Sequence, residues 1–284
     1  MTIDSYDDVR RQFGIYTFVK VWLLPHSAQS VVVLAVALFL PGLAGRAGAQ
    51  DRANKLPDAP TPQVQENPVT IRGTPLRILK DQEAIWTSPA RIRDSNALGP
   101  VALILATAVL ITTDHEVMSS SKLQNSSLNS EASTASTGLV GGFIAGPAAI
   151  FALGELHHDD HATETGILAG EAVVDSLGVS YVLKGISLRE RPTVDNAKGR
   201  FFQSSVGLDS SFPSNHAIVA WSSAAVIASE YDGTLTQISA YGLATGVSIT
   251  RILARQHFPS DVLVGSAVGW MIGRYVVRKH RRAD

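Results

Sequence analysis

Three short strings in the C-terminal half of the chain have the composition of a phosphate-handling site. They are residues 184–192 (KGISLRERP), 213–216 (PSNH) and 251–261 (RILARQHFPSD). Together they offer cations, two imidazoles and a carboxylate that could orient one of the imidazoles. These groups could hold a tetrahedral oxyanion, attack it and protonate the group that leaves.

The second string predicts a helix start that binds an anion. Pro213 suits the first position of a helix, where its missing N–H would have had no partner. Ser214, Asn215 and His216 then supply first-turn groups with free backbone N–H donors, a common arrangement at anion sites. His216 would stand beside the anion as an acid for the leaving group.

The third string predicts a turn between two helices. Arg251 lies near the end of one helix, and Pro259 opens the next. His257 then falls in the turn and Asp261 in the first turn of the following helix. From there the Asp261 carboxylate can reach back to one ring nitrogen of His257, which fixes the tautomer and stabilises the cation formed after attack. Imidazole is an established covalent nucleophile.

The first string adds further cations. Lys184 lies near a helix end, and the proline after Arg191 holds that arginine extended. Arg189 and Arg255 are extra cations close to the strings, and either could widen a positive funnel without touching phosphate.

The three strings resemble the signature of the type 2 phosphatidic acid phosphatase and vanadium haloperoxidase superfamily. That signature reads Lys, six residues, Arg-Pro; then Pro-Ser-Gly-His; then Ser-Arg, five residues, His, three residues, Asp. The spacings agree in the first and third strings. Asn215 stands where the family has glycine, so a positive φ there would have to be met by asparagine. Thr250 replaces the serine before Arg251 and keeps a hydroxyl. The resemblance covers residues 95–280.

The resemblance implies roles for individual residues. His257 would attack phosphorus and form a phosphohistidine, Asp261 would support it, and His216 would protonate the leaving alkoxide. The phosphoryl oxygens would be bound by Lys184, Arg191, Arg251, Ser214 and Asn215. No residue is predicted to bind a metal, and no cofactor is predicted. Because the two histidines need opposite protonation states, we expect a bell-shaped pH profile, shifted toward mildly acidic pH by the bound anion.

The resulting hypothesis is a metal-independent phosphatase acting on a phosphate monoester or pyrophosphate. A lipid phosphate is the favoured substrate class, and a small soluble phosphomonoester stays open. One alternative is a vanadium-dependent haloperoxidase, in which the same residues hold vanadate as cofactor and His257 binds vanadium. Toward a phosphatase, vanadate would act as an inhibitor. The other alternative is a non-catalytic envelope protein that binds phospholipid.

The elements that must position these residues are helical. Apolar stretches rich in Ala, Gly and Ser alternate with polar breaks, and strand signals are nearly absent. The stretches are 98–113, 137–155, 163–185, 216–230, 235–255 and 259–277. They predict an all-α six-helix bundle, the architecture that the family resemblance also implies. A set of small residues predicts closely approaching helix backbones: Gly138, Gly141, Gly142, Gly146, Ala148 and Ala149.

Helix length bears on whether the bundle crosses a membrane. Residues 137–154 carry no charge and are just long enough to span one. The other stretches are short or interrupted by polar residues, which favours a bundle that folds in water or rests on a membrane. In a membrane-spanning protein, the basic residues 278–282 would be a cytoplasmic flank.

The N-terminal third divides into two segments before the domain. Residues 1–49 have basic residues, an apolar run at 31–40 and the sequence Ala47-Gly-Ala49, which predict a signal peptide or an N-terminal anchor. Residues 50–94 predict a proline-rich tether and a short amphipathic arm at 76–95 that packs on the domain. Residues 95–284 form the predicted phosphatase domain. The active site is thus expected outside the cytoplasm, in an exported, periplasmic or membrane-associated protein.

Composition narrows the function classes. A net charge of −1 gives no field that would attract nucleic acid. The absence of cysteine excludes disulfides, thiolate catalysis and zinc–thiolate sites. Oligomeric state is left open.

Three other groups of residues receive structural interpretations. The run at 157–161 (HHDDH) predicts a solvated interhelical loop, because consecutive residues cannot all face one ion. Glu171 and Asp175 predict a polar stripe, near the wall of the active site. Asp114 and His115 are predicted to lie in the turn that leaves a helix.

Overall fold

The computed structural model describes residues 69–280 except positions 94 and 96. Within these residues the chain is helical and has no strand, which confirms the all-α prediction. Six helices coincide with the six predicted stretches, and one precedes them. The seven are α1 Thr74–Thr87, α2 Leu98–Ser119, α3 Ser126–His157, α4 Asp160–Ser187, α5 Asn215–Glu230, α6 Thr234–Leu253 and α7 Pro259–His280. The predicted signal or anchor and most of the tether lie outside the described residues.

The turn between α3 and α4 contains the histidine-rich run. His158 ends α3 in the left-handed conformation, with φ of 55°. Asp159 then caps α4, since its side chain accepts a hydrogen bond from Ala162 N at 3.0 Å. The run is therefore an exposed interhelical turn, as predicted.

Helix α5 is the centre of the bundle. It packs against α3, α4, α6 and α7, and only four of its sixteen residues are not buried. Its side chains form a core with Val140 and Phe143 of α3, Val173 of α4, and Ala244 and Val247 of α6. Burial of these side chains fixes the position of the N-terminal turn of α5, which carries the second string.

Helices α5 and α7 approach each other backbone to backbone. A methyl group added to Gly265 of α7 would lie 2.8 Å from the carbonyl oxygen of Ser214. Gly269 and Gly273, one and two turns further along α7, face carbonyl oxygens of α5 even more closely. This spacing of four residues is the pattern that lets two helices touch, and it fixes the first turn of α7 beside the first turn of α5.

The small residues of α3 do not have the predicted role. The buried face of α3 is formed by larger and polar residues such as Ser136, Val140 and Phe143. A methyl group added to any of four glycines of α3 would meet no atom within 4 Å; they are Gly138, Gly141, Gly142 and Gly146. The prediction of close packing there was wrong, because small residues bring helices together only on a face that has a partner.

The helices are also longer than predicted. Three of them, α2, α3 and α4, are long and apolar enough to cross a membrane. In α2 and α3 only 22% of the most apolar stretch is buried, so apolar side chains project outward, among them Leu105, Val109 and Leu153. The expectation of short helices was wrong, and the three helices fit association with a membrane.

Helix α1 is the predicted packing arm. Arg77 forms an ion pair with Glu171 of α4 at 2.9 Å, and Gln82 donates to Asp175 Oδ1 at 2.9 Å. Glu171 and Asp175 therefore face α1 rather than the wall of the active site.

A second set of contacts joins α1 to the C-terminal end of α7. Asp81 is fully buried and accepts from Lys279 Nζ at 2.8 Å and from His280 Nε2 at 2.7 Å. The side chains of Asp81, Glu171 and His280 lie close enough together to bind one metal ion. However, Lys279 already balances the charge of Asp81, and Arg77 balances that of Glu171. These contacts hold the arm on the bundle.

Candidate active site

Four helix ends bring the three strings to one end of the bundle. Lys184 lies in the last turn of α4 and Arg251 in the last turn of α6. His216 lies in the first turn of α5 and Asp261 in the first turn of α7. The backbone N–H of Ser214 donates to the Asp261 carbonyl at 3.1 Å, which joins the second string to the third.

His257 lies in the turn before α7, as predicted, and is 2% exposed. Its Nδ1 lies 2.7 Å from the carbonyl oxygen of Ser211. Because a carbonyl can only accept, Nδ1 carries the proton and Nε2 keeps its lone pair in the neutral ring. The predicted bond to Asp261 is replaced by an electrostatic contact, with Oδ2 3.8 Å from Nδ1. The tautomer is thus fixed by a backbone carbonyl, with the carboxylate beside it.

Both histidines have pKa values well below their ordinary value of 6.5. Burial, and then the nearby cations, lower the pKa of His216 to about 4. Burial also lowers the pKa of His257 to about 3, although Asp261 partly opposes that shift. Arg251 and Lys184 act on both rings, so the three strings form one electrostatic unit. An anion that neutralises these cations would favour protonation of both histidines.

The cations differ in how they are held. Arg251 is 6% exposed, and its Nε has no hydrogen-bond partner among the described residues. Lys184 Nζ donates to the carbonyl of Ser210. Arg191 pairs with the exposed carboxylate of Asp209 at 2.8 Å. A buried guanidinium N–H without an acceptor is costly, so Arg251 marks a place suited to an anion.

The start of α5 differs in detail from the prediction. Pro213 precedes the N-cap, so the expectation that it opens the helix was wrong. Ser214 is the N-cap and accepts from Ala217 N at 3.5 Å. Asn215 is the first helical residue and has no positive φ, so its replacement of glycine causes no backbone strain. The cap takes the N–H of Ala217, and the N–H groups of Asn215 and His216 before it are suited to an anion.

Asp261 is held by groups that the sequence did not assign to it. Its Oδ1 accepts from Arg189 Nη1 at 2.6 Å. Its Oδ2 accepts from the Ser211 hydroxyl and from Phe258 N, the latter at 2.8 Å. Arg189 is 1% exposed and also pairs with Asp114 of α2 at 2.8 Å.

Two sequence interpretations change with this finding. Arg189 is buried behind the site rather than part of a positive funnel. Asp114 lies inside α2, which continues to Ser119, and not in an exit turn. The sequence did offer a signal for this contact: Asp114 is an aspartate within an apolar helix, and a buried aspartate needs a partner.

The arrangement has the parts needed for chemistry on a tetrahedral anion. Cations and helix-start N–H groups can bind the oxygens, His257 offers a ring nitrogen with a lone pair, and His216 offers a second imidazole. The described residues of this site include no cluster of carboxylates and histidines suited to a metal ion.

Comparison with known proteins agrees with this site. The model of the PAP2 superfamily matches residues 165–284. The match includes all three strings, most of α4 and all of α5–α7, whereas α1–α3 precede it. Comparisons with curated proteins and with solved structures found no match. The match to residues 165–284 agrees with the family resemblance that the three strings predict.

Proposed function

We propose that the protein is a phosphatase that hydrolyses a phosphate monoester or pyrophosphate through a phosphohistidine at His257, without a metal ion. The match to the PAP2 superfamily supports phosphatase-type chemistry in general. The observation that carries the finer proposal is the His257 ring, whose proton lies on Nδ1 beside a buried arginine with an unpartnered N–H.

In the first step, the lone pair of His257 Nε2 attacks phosphorus. The bound anion favours a protonated His216. The bond from phosphorus to the leaving oxygen breaks, and the protonated His216 gives that oxygen a proton and becomes neutral. The ring keeps its Nδ1 proton and becomes positive, and Asp261 lies 3.8 Å away to stabilise that charge. A positioned acid of this kind typically contributes about 10²–10⁴-fold to the rate.

In the second step, water attacks the phosphohistidine. The neutral His216 takes a proton from the water, the P–N bond breaks, and its electron pair returns to Nε2. Phosphoryl transfer depends mainly on positioning and charge neutralisation. Lys184, Arg191 and Arg251 would supply that neutralisation, with the Ser214 hydroxyl and the N–H of Asn215.

A phosphorylated lipid is the substrate class that the surface favours. Apolar side chains project outward from α2, α3 and α6, including Ile104, Ile144 and Leu243. Monomeric water-soluble proteins rarely expose so much apolar surface in continuous patches. A bundle in a membrane would meet its substrate by diffusion within the same bilayer.

The charge distribution supports an active site outside the cytoplasm. Helix α7 begins at the site with Pro259 and ends at His280. Its last turn carries Arg278 and Lys279, and the sequence continues with Arg281 and Arg282. Basic residues at one end of a membrane bundle favour the cytoplasmic side, which would place the end with the candidate site outside.

The test is phosphate release by the full chain in detergent, with chelator present. Substrates would be a chromogenic phosphomonoester, a pyrophosphate and a panel of lipid phosphates. We expect turnover that survives chelation, is inhibited by vanadate and is lost in His257→Ala. Turnover that requires an added metal, or that persists in His257→Ala, would contradict the proposed chemistry.

Two other results would identify the alternatives. The donors of this site also fit vanadate, which has the shape and charge of phosphate, and His257 would then bind vanadium. Halide oxidation dependent on vanadate, with no phosphate release, would assign the protein to that chemistry. Lipid-phosphate binding without turnover, unchanged in His257→Ala, would indicate a binding protein.

A further inference from the structure

Arg189 is fully buried beside the site, although the steps above assign it no contact with phosphate. Its Nη1 lies 2.6 Å from Asp261 and its Nη2 lies 2.8 Å from Asp114. The guanidinium lies between two aromatic rings, 4.6 Å from the centre of Phe201 and 4.1 Å from that of Phe258. Stacking between two rings and charged hydrogen bonds to two separate carboxylates hold the arginine in one orientation.

Asp114 is held equally firmly. Its Oδ1 accepts from the backbone N of Ser260 at 3.2 Å, and its Oδ2 accepts from the Ser260 hydroxyl. Arg189 Nη1 donates to that same hydroxyl at 2.7 Å, and its Nε donates to the Gly199 carbonyl at 3.2 Å. Asp114 and Arg189 thus fix the first turn of α7, next to Asp261.

Two carboxylates share one guanidinium in this buried group. Buried carboxylates need compensating charges; Lys184 also acts on Asp261, and a carboxylate oxygen of Asp261 lies 3.8 Å from His257 Nδ1. The ring becomes positive when Nε2 is phosphorylated, so Asp261 gains a further positive partner during the reaction.

We propose that Asp114 and Arg189 are positioning residues for the reaction, and that they act through Asp261 on the charge of His257. The chemical step rests on the function proposed above. Asp114 belongs to α2, which precedes the residues that match the family. The catalytic unit of this chain therefore includes α2.

The charged groups acting on His257 come from three helices: Asp261 of α7, Arg251 of α6 and Lys184 of α4. Substitutions behind Asp261 change the net charge in opposite directions. Asp114→Asn makes the buried group neutral, and Arg189→Gln gives it two negative charges. The double variant restores one negative charge.

The experiment measures pH profiles of kcat and KM in the full-length chain and its variants. Neither residue touches phosphate, so we expect each single substitution to lower kcat by about 10–100-fold and to change KM by less than about threefold. The acidic limb of the kcat profile should move to lower pH in Asp114→Asn, because removing a negative charge disfavours a protonated His257. It should move to higher pH in Arg189→Gln, because removing a positive charge has the opposite effect. Each shift should be about half a pH unit or more. The double variant should return the limb toward that of the wild type.

A readout without turnover separates this proposal from the proposed function. The His257 ring is titrated by NMR in the full chain saturated with inorganic phosphate, and the same opposite shifts are expected. Opposite shifts in a chain that hydrolyses nothing would uphold the coupling and contradict the phosphatase. An active wild type whose variants show no opposite shifts would overturn the positioning roles.

Controls separate positioning from stability. Glu171→Gln removes a carboxylate from another buried ion pair, and it should leave both the pH profile and the His257 titration unchanged. Arg189→Lys keeps the charge but lacks the planar guanidinium that binds Asp114 and Asp261 at once. If Arg189→Gln does not fold, Arg189→Lys should still lower kcat without moving the acidic limb; a lysine variant with wild-type kcat would overturn the role of Arg189.

Discussion

The two ends of the bundle use similar ionic groups in different ways. At the end with the candidate active site, Arg251 is buried with an unpartnered N–H, and Arg189 is shared between two carboxylates. At the opposite end, each of two cations has a carboxylate of its own: Arg77 pairs with Glu171, and Lys279 pairs with Asp81. Paired charges stabilise the contact between two helices. A buried charged group without a full set of partners is instead suited to bind a ligand, or to stabilise a charge that forms during a reaction.

A second contrast distinguishes two pairs of helices, which differ in how they pack. Helices α5 and α7 meet through glycines and form the floor of the site, within the range that matches the family. Helices α2 and α3 precede that range and turn much of their apolar surface outward. The first pair positions the residues of the candidate site, and the second supplies the surface that fits a membrane. Asp114 of α2 links the two pairs through its contacts with Ser260 of α7.

The largest difference between the two ends is expected from removing one arginine at each. Arg251→Ala should lower kcat/KM by about 10²–10³-fold, because it removes a buried donor that the proposed mechanism assigns to the phosphoryl group. The matched variant Arg77→Ala should leave kcat/KM within about threefold of the wild type. Steady-state kinetics on the same substrate measure both, and equal losses would show that the two ends do not differ in function.

The glycine contact between α5 and α7 gives the next largest effect. Gly269→Ala would push a methyl group into a backbone carbonyl of α5. We expect the free energy of unfolding to fall by about 1–3 kcal/mol, with a loss of kcat in the molecules that stay folded. Gly242→Ala is the control, because a methyl group there meets no atom within 4 Å. Denaturant unfolding would measure both, and similar losses would refute the assigned contact.

Acid should destabilise the site end. The pKa values of His216 and His257 in the fold, about 4 and about 3, lie below the ordinary value of 6.5. The unfolded chain therefore binds more protons than the folded chain as pH falls below 6.5. The contribution of each histidine to the free energy of unfolding should decrease from about pH 6.5 toward pH 4, by up to about 1.4 kcal/mol per pH unit. The difference between the wild type and His216→Gln measures the contribution of His216. Inorganic phosphate should reduce that slope, and a slope unaffected by His216→Gln would contradict the assignment.

The smallest effect is expected at the exposed pair between Arg191 and Asp209. Asp209→Asn should leave stability unchanged, because exposed ion pairs contribute little. It should lower KM by less than about threefold, because Arg191 no longer has a competing carboxylate. A higher KM would indicate that Asp209 orients Arg191 for the substrate.

Much of the site was predictable because its residues are close in sequence and fixed by helix ends. Pro259 opens α7, and that alone places His257 in the turn and Asp261 in the first turn. The sequence also showed that Asn215 replaces the glycine of the family signature. Only the structure showed that this replacement causes no backbone strain, because Asn215 has no positive φ.

The rest depended on contacts between distant elements. Asp114 and Asp261 meet Arg189 only once α2 packs beside the start of α7, and no local pattern specifies that packing. Small residues in the middle of α3 resembled a packing face, but only the fold shows that α3 approaches α4 at Gly154 instead, and that α5 and α7 meet through the glycines of α7. Helix lengths were underestimated for a similar reason, since polar residues such as Ser136 are buried inside α3 and do not interrupt it.

The most direct test of the proposed chemistry is to trap phosphate on His257. The full-length protein would be mixed with substrate labelled in its phosphoryl group and quenched in alkali, in which phosphohistidine survives. We predict label on His257 in the wild type, release of that label by acid, and no label in His257→Ala. Label on another residue, or turnover by a His257→Ala chain, would contradict the central claim.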